Sequence, residues 1–315
     1  MVETYGLKAT RIGFGEGLAE LGKTNPKVVV IGADTAASAS LNLFYEKFPD
    51  RFYNVGIAEQ NMIGIASGLS LTGLIPFAST YAIFSSGRPW EEIRTTVCYS
   101  NLNVKIGGSH AGVMVGPDGA THQALEDIAI MRCLPKMTVI VPCDMVETKK
   151  ATIAATKMYG PVYLRYGREP TPIITKEDSS FEIGKAITLK NGSDVAIFAC
   201  GHLVYEALCA AEILAQSGIK VSVVNVHTIK PIDEEAIVKT AKKCGAVVTA
   251  EEHQVAGGFG SAVCEVLAKN CPVPVEMVGV FDTFGGSGAP LDLLKEYGLK
   301  AENIVAAALK AIKRK

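Results

Sequence analysis

Residues 56–73 read GIAEQNMIGIASGLSLTG, and a short β-type run, Phe52-Tyr53-Asn54-Val55, leads into them. Glu59 is the only charged residue along the helix expected over 58–73, and small residues recur at Ala58, Gly64, Ala66, Ser67 and Gly68. Gly64 and Gly68 stand four apart and share one helix face. Each glycine costs about 1 kcal/mol in a helix interior relative to alanine, which close approach of another backbone would offset. A carboxylate at the start of such a helix admits two readings. It can satisfy first-turn N–H groups. Alternatively it is a buried acid on an otherwise apolar, tightly packed helix, a position that suits chemistry.

On both sides of this stretch, apolar β-type runs alternate with helical segments. Residues 27–32 (KVVVIG), 104–108, 138–141 (TVIV) and 161–166 (PVYLRY) read as strands. Helices are expected near 11–22, 40–48, 90–100, 122–132 and 145–158. Strands without polar alternation, separated by helices, indicate a parallel sheet covered on both faces. The stretch 167–182 (GREPTPIITKEDSSFE) is rich in Pro, Thr, Ser and charge and reads as a linker. Alternation then restarts, with strands at 194–199, 220–226, 246–250 and 275–280 and helices at 204–217, 234–244, 257–269 and 302–313. The expected architecture is α/β, with two doubly wound domains of mainly parallel sheet. The first spans 1–170 and the second 191–315, joined by a linker at 171–190.

Composition removes several function classes. The chain has 315 residues and a formal net charge of -1, so no global field draws it to nucleic acid or an anionic membrane. No apolar run approaches the ~20 residues that span a bilayer, and residues 1–17 do not resemble a secretion signal. A soluble cytoplasmic protein is expected. The eight cysteines are scattered singly, with no C-x-x-C pair, and read as reduced thiols behaving as small apolar groups. Two glycine clusters carry no assigned chemistry. VAGGFG (255–260) lacks the dinucleotide-binding spacing and reads as a tight strand-to-helix turn, and FGGSGAP (284–290) reads as a loop.

Polar residues concentrate in 107–127, GGSHAGVMVGPDGATHQALED, which leaves a strand at the carboxyl edge of the expected sheet. Open α/β sheets bind ligands at that edge. The stretch places His110, His122 and Asp118 on a glycine-rich loop, where backbone and polar side chains can meet a ligand.

Glu59 in its helix, the loop 109–127 and CLPKMTVIVP (133–142) together resemble transketolase, across its pyrimidine-binding and C-terminal domains. The combination of Glu59 with G-P-D-G-x-T-H-Q (116–123) carries the likeness, which spans essentially the whole chain. The resemblance implies ketol transfer between sugar phosphates with thiamine diphosphate. That chemistry needs a carboxyl group bonded to the cofactor's aminopyrimidine, and Glu59 matches it. Tyr81 and Phe84 match aromatics that pack on the pyrimidine. A third aromatic does not align directly: Gly87 holds the ungapped position, and Trp90 is reached only with a gap. Asp118 resembles the aspartate that contacts a substrate hydroxyl, and His122 the histidine near the reacting carbon. Arg11, Ser38, His110 and Arg168 fall where the family gathers the sugar phosphate, with Arg165 on the same strand end as Arg168. Two guanidiniums, a hydroxyl and an imidazole suit a phosphate dianion.

Thiamine enzymes anchor the diphosphate through a divalent metal at a G-D-G motif followed by Asn. This chain has no G-D-G. The resemblance therefore implies the C-terminal subunit of a split transketolase, with Mg2+ or Ca2+ held by an N-terminal partner subunit and with two copies of each chain. The related alternatives are 1-deoxyxylulose-5-phosphate synthase, which carries Arg where this loop has His110, and the β subunit of a 2-oxoacid dehydrogenase, whose donor lacks the sugar hydroxyls. From another class, a non-catalytic binding module could retain the fold, but the joint presence of Glu59, His110, Asp118 and His122 argues against it.

Overall fold

The computed structural model describes residues 2–315. A short strand, β1 (Leu7–Ala9), enters the helix Thr10–Thr24, and β2 (Val28–Gly32) and β3 (Phe52–Asn54) follow. Next come β4 (Ile75–Tyr81), β5 (Lys105–Ser109), β6 (Thr138–Ile140) and β7 (Val162–Arg165). The second half contributes β8 (Pro170–Pro172), β9 (Ile187–Lys190), β10 (Val195–Ala199), β11 (Val221–Asn225) and β12 (Thr228–Lys230), then β13 (Val247–Gln254) and β14 (Val275–Val280). The larger sheet has the order β12-β6-β7-β5-β4-β2-β3 and the second β14-β13-β10-β11-β9. All neighbours in the larger sheet are parallel except β12 and β6, and in the second only β9 runs antiparallel. Two mainly parallel α/β sheets are what the unbroken apolar runs imply: β2, β10 and β11 are buried along their whole length.

Three departures from the sequence reading have local causes. β4 is absent from the expected strands because IPFASTY mixes Pro, Ser and Thr into its core. Ser79 and Thr80 are fully buried there, with Ser79 Oγ 2.7 Å from the Tyr166 hydroxyl and Thr80 Oγ1 3.0 Å from Thr35 Oγ1. Hydroxyls paired in this way do the work of apolar side chains in a central strand. The helix expected over 122–132 shortens to Asp127–Arg132, because the preceding residues form a loop across the sheet's carboxyl edge. The helix expected over 90–100 becomes one short turn, Trp90–Glu92, followed by a π-helical segment, Ile93–Tyr99.

The two halves are tied together. β12 crosses from the second half to pair with β6 of the first sheet, and β1 pairs with β8. One apolar cluster runs from Met62 and Ile63 through Val139 to Phe198 and Phe259, so the core is shared between them. The helix Thr10–Thr24 packs closely on Met145–Ala155. A Cβ at Gly13 would lie 2.1 Å from the Met145 carbonyl oxygen, so the approach of the two helices needs glycine there. Among the described residues no helix is long and apolar enough to cross a membrane.

A buried ion pair of the first half stands at the seam and reaches the second half through the Glu252 carbonyl. Arg165 Nε donates to Asp127 Oδ2 at 2.9 Å, and its Nη2 donates to the carbonyls of Ala124 and Glu252. Tyr163 also donates to Asp127 Oδ2, at 2.8 Å. Removing one partner of such a pair leaves a buried charge and costs about 3–5 kcal/mol. Arg165→Met is expected to lower unfolding free energy by about that amount in a urea titration; a loss below about 1 kcal/mol would show that the pair does not hold the seam.

Candidate functional site

Five parallel strands deliver their carboxyl ends to one edge, where such sheets bind ligands. β2 leads to Ser38, β3 to Glu59, β4 ends at Tyr81 and continues to Phe84, β5 leads to His110, and β7 leads to Arg168. Arg11 joins them from the helix Thr10–Thr24. Its Nη1 donates to the Ser38 carbonyl at 2.8 Å and its Nε to the Arg168 carbonyl at 3.2 Å. Arg168 Nη1 donates to the Val115 carbonyl and pairs with Asp118 Oδ1 at 3.2 Å. Arg11, Ser38, Arg168 and Asp118 therefore form one cluster. Arg165 is not part of it, being consumed in the seam.

His110 sits between this cluster and the aromatic residues. It is 2% exposed and its backbone adopts a left-handed conformation, φ 58°, uncommon for non-glycine residues though less so for His. Its ring stacks on Tyr81 at 4.2 Å, and its Nδ1 lies 2.7 Å from Ser109 Oγ. Burial first, then the charges of Arg11 and Arg168, push the imidazole down from 6.5 to about 3. His122 lies edge-on to both Tyr81 and Phe84, with centroids 5.9 and 5.3 Å away. The Tyr81 and Phe84 rings are parallel within 11° at 6.1 Å.

Beyond Phe84 stands the carboxylate. Glu59 is 4% exposed at the first residue of the helix Glu59–Leu71. Its oxygens do not cap that helix. Both accept from Arg88 Nη1, at 2.8 and 3.0 Å, and the Arg88 guanidinium lies 4.0 Å above the Phe84 ring centre. Trp90 points elsewhere, its indole N–H donating to the Ile130 carbonyl. Sequence reasoning missed Arg88. The available signal was its spacing, four residues past Phe84, which puts both on one face of a helical run.

The second half braces the loop. Glu252 Oε1 accepts from the Met114 N–H at 2.7 Å, and Glu252 Oε2 lies 3.0 Å from His202 Nδ1. Gln123 Nε2 donates to the Gly286 carbonyl at 2.9 Å, so FGGSGAP serves as a support for this loop. Gly112 has φ 84°, and a Cβ there would lie 2.2 Å from the Glu252 carboxyl carbon, so only glycine fits. VAGGFG is the strand-to-helix turn the sequence suggests: its N–H groups at Phe259 and Gly260 donate to Glu251. Among the described residues no group of three or more His, Cys, Asp or Glu is placed to hold a metal ion.

Two family signatures match in tandem. "Transketolase, pyrimidine binding domain" covers residues 8–172, and "Transketolase, C-terminal domain" covers 184–304. The chain belongs to the transketolase family. A protein of Methanocaldococcus jannaschii, provisionally named a transketolase C-terminal section, is 48% identical, with 100% of each chain covered. A 6-deoxy-6-sulfo-D-fructose transketolase subunit of Clostridium sp. (strain MSTE9) is 45% identical over 95% of this chain and 92% of its own. A solved structure titled as a split-gene transketolase, inactive β4 tetramer, superposes with TM-score 0.92 at 50% identity, covering 98% of this chain and 99% of that one. This transketolase chain is thus a transferase subunit by kinship, and its family is thiamine diphosphate dependent.

The buried imidazole makes a pH prediction. His110 binds a proton far less readily folded than unfolded, so its contribution to stability is complete above its unfolded value of 6.5 and is lost as pH falls toward about 3. In the ligand-free chain its imidazole NMR signals should stay those of a neutral ring from pH 8 to 5. A titration midpoint near 6.5 would contradict the buried placement.

Proposed function

We propose that this chain is the C-terminal subunit of a split, thiamine diphosphate-dependent transketolase, moving a two-carbon ketol unit from a ketose phosphate to an aldose phosphate. One observation carries the reading: a buried carboxylate, Glu59, and the face of Phe84 hold one planar nitrogen cation between them. A site that takes a guanidinium between a carboxylate and Phe84 has the shape and polarity for an aminopyrimidine, so the residues present fit that end of the cofactor. The metal-diphosphate end has no counterpart among the described residues, and we assign it, with Mg2+ or Ca2+, to an N-terminal partner subunit bearing the G-D-G motif.

When bound, the cofactor supplies an electron sink for carbon–carbon cleavage. Glu59 holds and moves the proton at the aminopyrimidine ring nitrogen. Tyr81 and Phe84 hold the ring plane and keep water from it. Asp118 orients a substrate hydroxyl, and His122, beside the aromatic pair, hydrogen-bonds the oxygen at the reacting carbon. Arg11, Ser38, His110 and Arg168 hold the terminal anion, whose two negative charges would also restore proton affinity to the His110 ring. These four residues suit any three-oxygen anion, so the sulfonated ketose in one relative's name is a second candidate donor.

The reading also requires an interface. Gly64 and Gly68 are exposed, and a Cβ at either would meet nothing within 4 Å, so close packing inside this chain does not explain them. Ile57 and Leu71, 74% and 75% exposed, flank the same helix. We assign that helix to contact with another chain, in an assembly of two copies of each subunit. Eight free cysteines suit the reducing cytoplasm.

Glu59→Gln keeps shape and loses proton exchange. In the assembled enzyme, C2–H deuterium exchange of the bound cofactor should slow by about 10²–10⁴-fold. Exchange at the parent rate would remove Glu59 from the proposed role.

A further inference from the structure

We infer that Arg88 is a built-in occupant of the aminopyrimidine position, holding the Glu59 carboxylate and the face of Phe84 until the cofactor displaces it. This rests on the reading above, which takes the Arg88 contact only as a sign of the site's shape, and gives Arg88 a role of its own. The guanidinium presents what that position selects: a plane, N–H donors and positive charge. Its Nη1 spans both Glu59 oxygens at 2.8 and 3.0 Å while its carbon lies 4.0 Å over Phe84. Those are the carboxylate and the ring face assigned to the cofactor, so one group must leave before the other binds.

The surroundings of the two partners differ in a way that suits exchange. Glu59 is 4% exposed and would be costly to leave without a partner. Arg88 is 48% exposed at its side chain, so it can return to water at little cost. It follows Gly87, which is exposed and has open space where a Cβ would stand, leaving room for the chain to turn. A pair of this kind keeps the carboxylate compensated before assembly, and it sets a threshold that a weakly held aminopyrimidine does not cross. A fixed structural ion pair would instead persist with cofactor bound.

The test compares the assembled enzyme carrying wild-type chain, Arg88→Ala or Arg88→Gln, by equilibrium titration of thiamine diphosphate with Mg2+ and by thermal melting with and without saturating cofactor. Charge-assisted hydrogen bonds to a buried acid are strong competitors, so both variants should bind cofactor about tenfold or more tightly than wild type. They should melt lower without cofactor, and that deficit should largely disappear at saturation. Unchanged or weaker binding, or an equal melting deficit in both states, would overturn the inference while leaving the cofactor site standing. If the wild-type assembly binds no thiamine diphosphate, the underlying function fails and this inference with it.

Discussion

The arrangement depends on the guanidinium of Arg165. It stands at the carboxyl end of β7 and reaches two other pieces of chain: the end of the glycine-rich loop, through the Ala124 carbonyl and the Asp127 carboxylate, and β13, through the Glu252 carbonyl. A buried cation tolerates no missing partner, so β7, the loop end and β13 share one geometry. Glu252 then passes the constraint on, taking the Met114 N–H and excluding any side chain from Gly112. The second half of the chain contributes none of the nine residues assigned to the proposed site. It fixes the loop that carries His110, Asp118 and His122.

Within that frame the edge of the sheet divides by chemistry. One side gathers Arg11 and Arg168 around a backbone already rich in donated contacts. The other gathers a carboxylate and two aromatic rings. Tyr81 joins them, stacked on His110 and edge-on to His122. The neutral state of His110 follows from this placement, since burial and two guanidiniums all disfavour its cation. An anion with two charges would reverse that balance, which would make the imidazole a responsive part of the proposed anion subsite.

Much of the fold was legible because parallel strands buried on both faces show as unbroken apolar runs. KVVVIG and DVAIFA required no tertiary information. IPFASTY was not legible as a strand, because its hydroxyls are satisfied by Tyr166 and Thr35, residues distant in sequence. β12 was likewise hidden, because its partner lies in the other half of the chain. Of the proposed site, Glu59 could be singled out as a lone acid on an apolar helix, while the roles of Arg11, Ser38, Tyr81 and Phe84 came only from resemblance. Composition holds no sign of Arg88, and its spacing from Phe84 points to that ring but not to its pairing with Glu59. Composition is equally silent on Glu252 and Gly286, whose contribution is to position a loop more than a hundred residues away.

An exposed glycine face and a core shared between both halves suit the proposed reading, in which the cofactor site is completed by a partner chain. The most direct measurement is calorimetric titration of thiamine diphosphate with Mg2+ into this chain alone, and then into its mixture with a partner bearing the G-D-G motif. The account predicts weak or undetectable binding and no ketol transfer by the chain alone, and tight binding with turnover in the mixture. Tight binding and full turnover by the isolated chain would contradict it.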